Sequence, residues 1–144
     1  MIPNEAMSAS SSLGTNYLPW MARMGSKVGG GAWCAKHNDN TQHLQIDLGH
    51  VNEIHSLGIQ GKEGVSRHPT VESSWVKSFT LSHSVDGMDW TDHAQDEVLK
   101  VCVALTCDTK LLAAFRGERI FLEMKRSWNR FTQSASNFYI RNID

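Results

Sequence analysis

No stretch of this chain is apolar over the length a bilayer crossing needs, which excludes a membrane-spanning helix. The opening, MIPNEAMSASSS, lacks the basic-then-apolar order of a secretory leader, so the sequence as it stands carries no address. Charge of one sign is also lacking: 14 Lys and Arg face 15 Asp and Glu, and a net charge of −1 removes the electrostatic case for nucleic acid. Three cysteines, Cys34, Cys102 and Cys107, do not form a dense disulfide framework, and their odd number could leave one free thiol. The motifs of catalysis are missing as well: there is no nucleophile elbow, no H-E-x-x-H and no phosphate-binding loop. Cys34 and His37 have the C-x-x-H spacing of a zinc half-site, but no second ligand pair follows at finger spacing, so no metal or cofactor is expected. Asp47, between Ile46 and Leu48, is expected to accept hydrogen bonds from the backbone or from Arg23 and to do no chemistry. The expectation is a non-enzymatic protein, and 144 residues make one domain with a hydrophobic core.

What is present is β-pattern. Leu44, Ile46 and Leu48 alternate with His43, Gln45 and Asp47, the period of a strand with one buried face, and Gly49 is expected to end it. Ile54, Leu57 and Ile59 form a second apolar run up to Gly61, expected to lie beside the first. Residues 1–14 are small and polar, a loop-like entry. Tyr17, Leu18, Pro19 and Trp20 form an apolar cluster that Pro19 keeps out of a central strand or helix interior, leaving it either packed under the core or displayed. Four glycines between Gly25 and Gly31 signal a turn. Ala35–Gln42, AKHNDNTQ, has no large apolar side chain and reads as a solvated tip, and Lys62–Ser74 is a thirteen-residue polar stretch that reads as a protruding loop. Trp75–Ser84 is a strand pattern with Trp75, Phe79 and Leu81 on one face, and Asp86-Gly87 after it predicts a tight hairpin turn into a strand reaching about residue 92.

Ile2-Pro3-Asn4 to Ala9-Ser10-Ser11, Ala22-Arg23-Met24, Gly31-Ala32-Trp33, Leu44-Gln45-Ile46-Asp47-Leu48-Gly49, Ile59-Gln60-Gly61, Trp75-Val76-Lys77-Ser78-Phe79 and Ser84-Val85-Asp86-Gly87-Met88-Asp89-Trp90 stand in the order and spacing of a known family. In these blocks the chain resembles the discoidin domains, also known as the type C domains of coagulation factors V and VIII. The resemblance implies an all-β fold, a jelly-roll β-sandwich, used outside the cell as a non-enzymatic adhesion module. Its ligands would be a cell-surface glycan or protein, or phospholipid head groups, held by loops at one end of the sandwich. Carried over by position, the first loop is Leu13–Trp20, with Tyr17, Leu18 and Trp20. The second is Ala35–Asn40, with Lys36, His37, Asn38 and Asp39. The third is Gly64–Val71, with Val65, Arg67 and His68. Only the first carries the large apolar residues that membrane insertion requires, so the polar tips favour a glycan or a polar protein surface, with Trp20 or Tyr17 as a stacking platform. His43 stands where the family usually has Trp and is expected to be a half-buried sheet residue. An alternative is a carbohydrate-binding module of a larger enzyme.

The resemblance fades after Trp90. Residues 1–110 are assigned to the discoidin-like domain and 111–144 to a divergent or aberrant tail that matches nothing in the family's pattern. The charge shifts too, from −4 over residues 1–100 to +3 over 101–144, which together give the −1 of the whole. Either the tail is a divergent end of the same domain, or it is read from a shifted frame entered between Leu105 and Leu112. Codons allowed for Arg126–Phe138 do admit a second frame containing a Pro-Ile-x-x-x-Arg-Phe element like the family's missing strand. The second explanation describes a defective fragment and predicts a tail less regularly paired than the rest. Against that, Ile120, Leu122 and Met124 alternate, and Phe138-Tyr139-Ile140 has β propensity.

Overall fold

The computed structural model describes residues 2–23, 25–62, 76, 78–93, 109–126 and 135–142. Its strands are β1 (Met7–Ala9), β2 (Trp33–Cys34), β3 (His43–Gly61), β4 (Ser78–Ser84), β5 (Thr91–His93), β6 (Thr109–Arg126) and β7 (Ala135–Asn142), with 3-10 turns at Asn4–Ala6 and Pro19–Ala22. The two apolar runs expected to be neighbouring strands are halves of one strand, β3. The polar break between them is a bend: residues 48–51 stand on β3 opposite the single residue 118 on β6, between the pairs Asp47–Arg119 and Asn52–Gly117. A second irregularity accounts for the spacing of the apolar residues: residue 55 of β3 stands between the pairs Ile54–Asn142 and Ser56–Arg141, whose partners on β7 are adjacent. Ile54 and Ile59 are an odd number of residues apart and would face opposite ways in an unbroken strand, yet both are buried. The extra residue of a bulge restores their common face.

Past the bend, β3 and β6 continue together into a second layer. Their first-layer segments, around Leu44–Asp47 and Arg119–Glu123, pair with β1 on one side and β4 on the other. Their second-layer segments pair with each other and with β7, which in turn carries β2. By hydrogen bonding this is one seven-stranded sheet of order β2-β7-β3-β6-β4-β5, with β1 added to β3. By packing it is a sandwich, because Leu44, Ile46, Phe79, Leu81 and Ile120 of one layer share a buried cluster with Trp33, Ile54 and Ile59 of the other.

The tail is not less regularly paired. Its strands occupy the middle of the structure: β6 lies between β3 and β4, and β7 between β2 and β3, with Ile120 opposite Ile46, Leu122 opposite Leu44 and Phe138 opposite Ile59. A segment foreign to the design would leave β3 with open ladders, whereas β3 has a partner on each side along both segments. Two smaller expectations also change. The entry segment is not wholly loop, since Met7–Ala9 adds an edge strand to β3. The hairpin forms, with His83 opposite Thr91, but its connection is seven residues (84–90) and not a tight turn. Ser84 and Asp86 hold it: Ser84 Oγ accepts from the Gly87 amide at 2.7 Å, and Asp86 Oδ1 from the amides of Met88 at 2.8 Å and Asp89 at 3.0 Å. Trp75 and Lys77 lie outside the described residues, as do Cys102 and Cys107.

Candidate binding surface

Because β3 and β6 double back, the sandwich has two unlike ends. At one end are the bend of β3, Gly117–Arg119 of β6 and the hairpin 84–90. At the other are the start of β3, its finish at Gly61–Lys62, and the segments flanking β2. Backbone bonds tie this loop end together: Ser10 N donates to His43 O at 3.0 Å, Leu13 N to Cys34 O at 2.9 Å, and Gly30 N to Asn16 O at 2.7 Å. Trp33 is fully buried, and its indole Nε1 donates to Ser11 O at 2.9 Å, so a core side chain anchors the segment that leads into the first loop.

Side chains then join the segment that leads into the first loop, at Ser10 and Ser11, to the second loop. Gln42, buried at 5% exposure, accepts from Ser10 Oγ at 2.8 Å and Ser11 Oγ at 2.5 Å, and its Nε2 donates to Asp39 Oδ1 at 2.9 Å. Asp39 Oδ1 also takes the Thr41 amide at 2.9 Å and the Thr41 hydroxyl at 2.8 Å. These donors, Gln42 first, hold the Asp39 carboxyl below its ordinary value of 3.8. Lys36 N donates to Ser11 Oγ at 3.0 Å. Lys36, His37, Asn38, Asp39 and Asn40 are all exposed above this base. The second loop is thus a solvated tip on a fixed footing.

In the first loop, Tyr17, Leu18 and Trp20 are half-buried. Trp20 sits in the 3-10 turn that Pro19 opens and packs against the main core cluster, which turns it inward. Tyr17 instead packs on the small second cluster of Ala32 and Cys34. Its ring lies against Gly30, where a Cβ would come within 2.6 Å of Cδ1, and Lys62 Nζ lies 5.5 Å from its ring centroid. The structure therefore brings together Tyr17, the glycine turn and Lys62, and sets the 36–40 tip on Ser10, Ser11 and Gln42 at the same end. Val65, Arg67 and His68 of the third loop lie outside the described residues. Burial pushes the Cys34 thiol up to about 12 against the opposing pull of Lys62, so it is an inert core group.

Sequence reasoning missed Lys62, Leu13 and Val28 at this end. Leu13 and Val28 are 42% and 56% exposed. The signal for Lys62 was local and weak, a cation directly after the Gly61 that ends β3. Of the two partners expected for Asp47, the backbone is found and Arg23 is not. Arg23 Nη2 donates to Ile2 O at 2.6 Å and Asn4 Oδ1 at 3.1 Å, while Asp47 accepts from the Gly49 amide at 2.8 Å and lies 3.2 Å from Arg119 Nε. Arg119 is its opposite number on the ladder, so the sheet presents the two on one face. Nε is buried without an aligned acceptor, which makes the contact Coulombic. His43 is half-buried as expected, its ring 4.4 Å from that of Phe121. Among the described residues no group of His, Cys, Asp and Glu could hold a metal, and no helix is long and apolar enough to cross a membrane.

Comparison with known proteins places this geometry. A sequence model of the F5/8 type C domain matches residues 6–116. Coagulation factor V of Bos taurus is 34% identical over 82 residues, 57% of this chain and 4% of the relative, so the chain spans a small fraction of that protein's length. Among solved structures, discoidin II of Dictyostelium discoideum superposes with a TM-score of 0.78 at 12% identity, over 93% of this chain and 52% of that one. A Clostridium perfringens module of the CBM32 type, solved with GalNAc-β-1,3-galactose, superposes with a TM-score of 0.67 at 16% identity, over 96% of this chain and 97% of that one. At such identities the structural likeness speaks for the β-sandwich fold, and its coverage extends past residue 116, where the sequence match ends within β6. The chain belongs to the F5/8 type C, or discoidin, domain family.

Proposed function

We propose that this chain is a non-catalytic binding module that acts outside the cell in adhesion, recognising a glycan on a cell surface through its loop end. The observation that carries the reading is the fixed loop end itself. The exposed tip of Lys36, His37, Asn38 and Asp39 offers hydrogen-bonding groups of both senses, and it is locked through Gln42 to Ser10 and Ser11, in the segment that leads into the loop presenting Tyr17. Sugars are bound by such a combination, an aromatic ring under the C–H face and directed polar groups around the hydroxyls. Pre-ordering the tip lowers the entropy lost on binding. That sugars are bound by the CBM32-type relative in fold supports the reading. Trp20, packed against the core, is replaced by Tyr17 as the platform. Residues 1–144 act as one domain in this reading, with the tail its divergent end, since β6 and β7 supply the partners of β3.

The test is a glycan array probed with the purified chain and with Tyr17→Ala and Asn38→Ala. Binding of at least one glycan class, weakened several-fold in both variants at unchanged melting temperature, is the expected result. Retention on phosphatidylserine vesicles with no glycan bound would replace the reading with a lipid head-group site, and binding that survives both substitutions would move the site elsewhere.

A further inference from the structure

The hairpin that joins β4 to β5 contains the sequence's single Asp-Gly pair, Asp86-Gly87, and the sequence has no Asn-Gly. In a free chain this dipeptide is chemically unstable. The nitrogen of the following residue attacks the carboxyl carbon of the aspartate, and glycine, with no side chain to block the approach, permits the attack most readily. The structure nevertheless requires both residues. Gly87 has φ +76°, and the Arg119 guanidinium stands where its Cβ would be, so any other residue is strained there. Asp86 is exposed, and its Oδ1 accepts from the Met88 amide at 2.8 Å and the Asp89 amide at 3.0 Å, the bonds that shape the connection. Ser84 is buried and is directed at the same pair. Its Oγ accepts the Gly87 amide at 2.7 Å and the Asp86 amide at 3.3 Å and donates to Asp86 Oδ1 at 3.0 Å, which uses its donor and both its lone pairs.

We propose that Asp86-Gly87 is the site at which this chain converts aspartate to isoaspartate, and that Ser84 restrains the conversion. In the first step the Gly87 nitrogen bonds to Cγ of the neutral Asp86 carboxyl, the bond from Cγ to the hydroxyl oxygen breaks, and the hydroxyl leaves with the amide hydrogen as water, closing a five-membered succinimide. Water then opens the ring at the other carbonyl carbon, so that the main chain runs through the former side chain and the free carboxylate sits on Cα. Mass and charge are unchanged. For the nitrogen to reach Cγ, the Gly87 amide must leave Ser84 Oγ and the carboxyl must swing off the Met88 and Asp89 amides, so each of these bonds opposes ring closure. The Met88 and Asp89 amides, and after them the Ser84 hydroxyl, also hold the Asp86 carboxyl below its ordinary 3.8, which keeps it ionised near neutrality, whereas ring closure expels water from the neutral acid. The product has one more atom in the main chain of the connection, and the carbon that carried Oδ1 is now part of that chain. The bonds to the Met88 and Asp89 amides are then lost, and with them the footing that sets Trp90 5.5 Å from the ring of Phe121.

The experiment is incubation of the full chain at neutral pH and body temperature, folded and in urea, followed by tryptic digestion and electron-transfer mass spectrometry of the peptide 78–100, in which isoaspartate at Asp86 is told from isoaspartate at Asp89, Asp92 and Asp96. In urea, isoaspartate is expected to form faster at Asp86 than at the other three, and in the folded chain several-fold more slowly than in urea. Ser84→Ala should raise the folded rate about two- to tenfold, the factor that corresponds to one ordinary hydrogen bond. Ser82→Ala, which removes the hydroxyl that donates to Asp92, should leave the rate at Asp86 unchanged. Asp86→Glu, whose carboxyl would have to close a six-membered ring, should abolish the product at that position. Near-UV circular dichroism reports whether each variant is folded. Equal rates for the wild-type chain and a folded Ser84→Ala would overturn the role of Ser84. Equal rates for the folded and the urea-unfolded wild-type chain would overturn the restraint whether or not Ser84→Ala folds. Faster conversion at Asp89, Asp92 or Asp96 than at Asp86 in urea would overturn Asp86-Gly87 as the site.

Discussion

Ile120 decides whether the C-terminal third belongs to this fold. It lies in β6, within the segment that departs from the family's sequence pattern, and it has no solvent exposure. Its ladder partner is Ile46 on one side and His83 on the other, and its side chain shares the cluster of Leu44, Ile54 and Leu81. Ile120→Ala removes three buried carbons, worth about 2.4 kcal/mol at ~0.8 kcal/mol each, before any cavity is counted. The cavity adds to this where the surroundings cannot collapse, and two layers of strands cannot, so a loss of about 3 to 4 kcal/mol is expected within the usual range of about 2–5 kcal/mol. With a urea dependence of ~2 kcal/mol per molar, the unfolding midpoint should fall by about 1.5 to 2 M. Ile120→Val should cost only about 0.5–1.5 kcal/mol. Val85→Ala, at a position 52% exposed, should change stability by less than about 0.5 kcal/mol. The assay is equilibrium urea denaturation followed by tryptophan fluorescence. If Ile120→Ala matches Val85→Ala, the tail does not contribute to the core and the shifted-frame explanation regains its force.

The hairpin supplies a second prediction. Gly87 has φ +76°, a conformation L side chains rarely adopt, and a Cβ there would run into the Arg119 guanidinium, whose Cζ would be 2.7 Å away. Gly87→Ala should destabilise the chain by about 1–3 kcal/mol in the same denaturation assay, and a neutral result would show that the hairpin adopts another conformation. The acid limb of stability is a third. Asp86 and Asp39 are held below the ordinary 3.8, Asp86 chiefly by the Met88 and Asp89 amides and Asp39 chiefly by Gln42. Depressed carboxyls contribute stability that is fully present above the unfolded value of 3.8 and is lost as pH falls through the lower folded value. Thermal melts from pH 5 to pH 2 should therefore show a loss beginning below about pH 4 that is shallower in Asp86→Ala, and an unchanged slope would remove Asp86 from the explanation.

What was legible in the sequence was local and periodic. Leu44, Ile46 and Leu48 alternate, and the first half of β3 is where they say it is; Phe79 and Leu81 do the same for β4. Strand pairing was not legible, because it depends on contacts far apart along the chain. The break Gly49–Glu53 has the composition of a turn, and nothing local distinguishes a turn that reverses a strand from a bend that carries it into a second layer. The odd spacing of Ile54 and Ile59 was the readable trace of a bulge, since no regular strand buries both. The pairing of the tail was not legible for a different reason: its residues depart from the family pattern, whereas pairing requires only alternation and β propensity, which Ile120, Leu122 and Met124 have. Trp20 was ambiguous because a 3-10 turn after Pro19 fixes which way the ring points, and that direction is set by the core beneath it. Tyr17 and Lys62 are 45 positions apart and meet only once β3 has doubled back.

The same doubling back explains how one fold tolerates so much change in sequence. The core is built from strand positions whose requirement is apolar volume on alternate residues, met here by Leu44, Ile46, Phe79, Leu81 and Ile120 in one layer and Ile54 and Ile59 in the other. The loop end is held by a different kind of interaction. Ser10, Ser11, Asp39 and Thr41 are satisfied through the buried amide of Gln42 and the backbone around β2, and none of these bonds reaches into β6. Trp33 is the residue common to both systems, with its ring in the core and its indole N–H on Ser11 O. Divergence in β6 and β7 can therefore proceed under the constraint of packing alone, while the positions that present Tyr17 and the 36–40 tip answer to hydrogen-bond geometry.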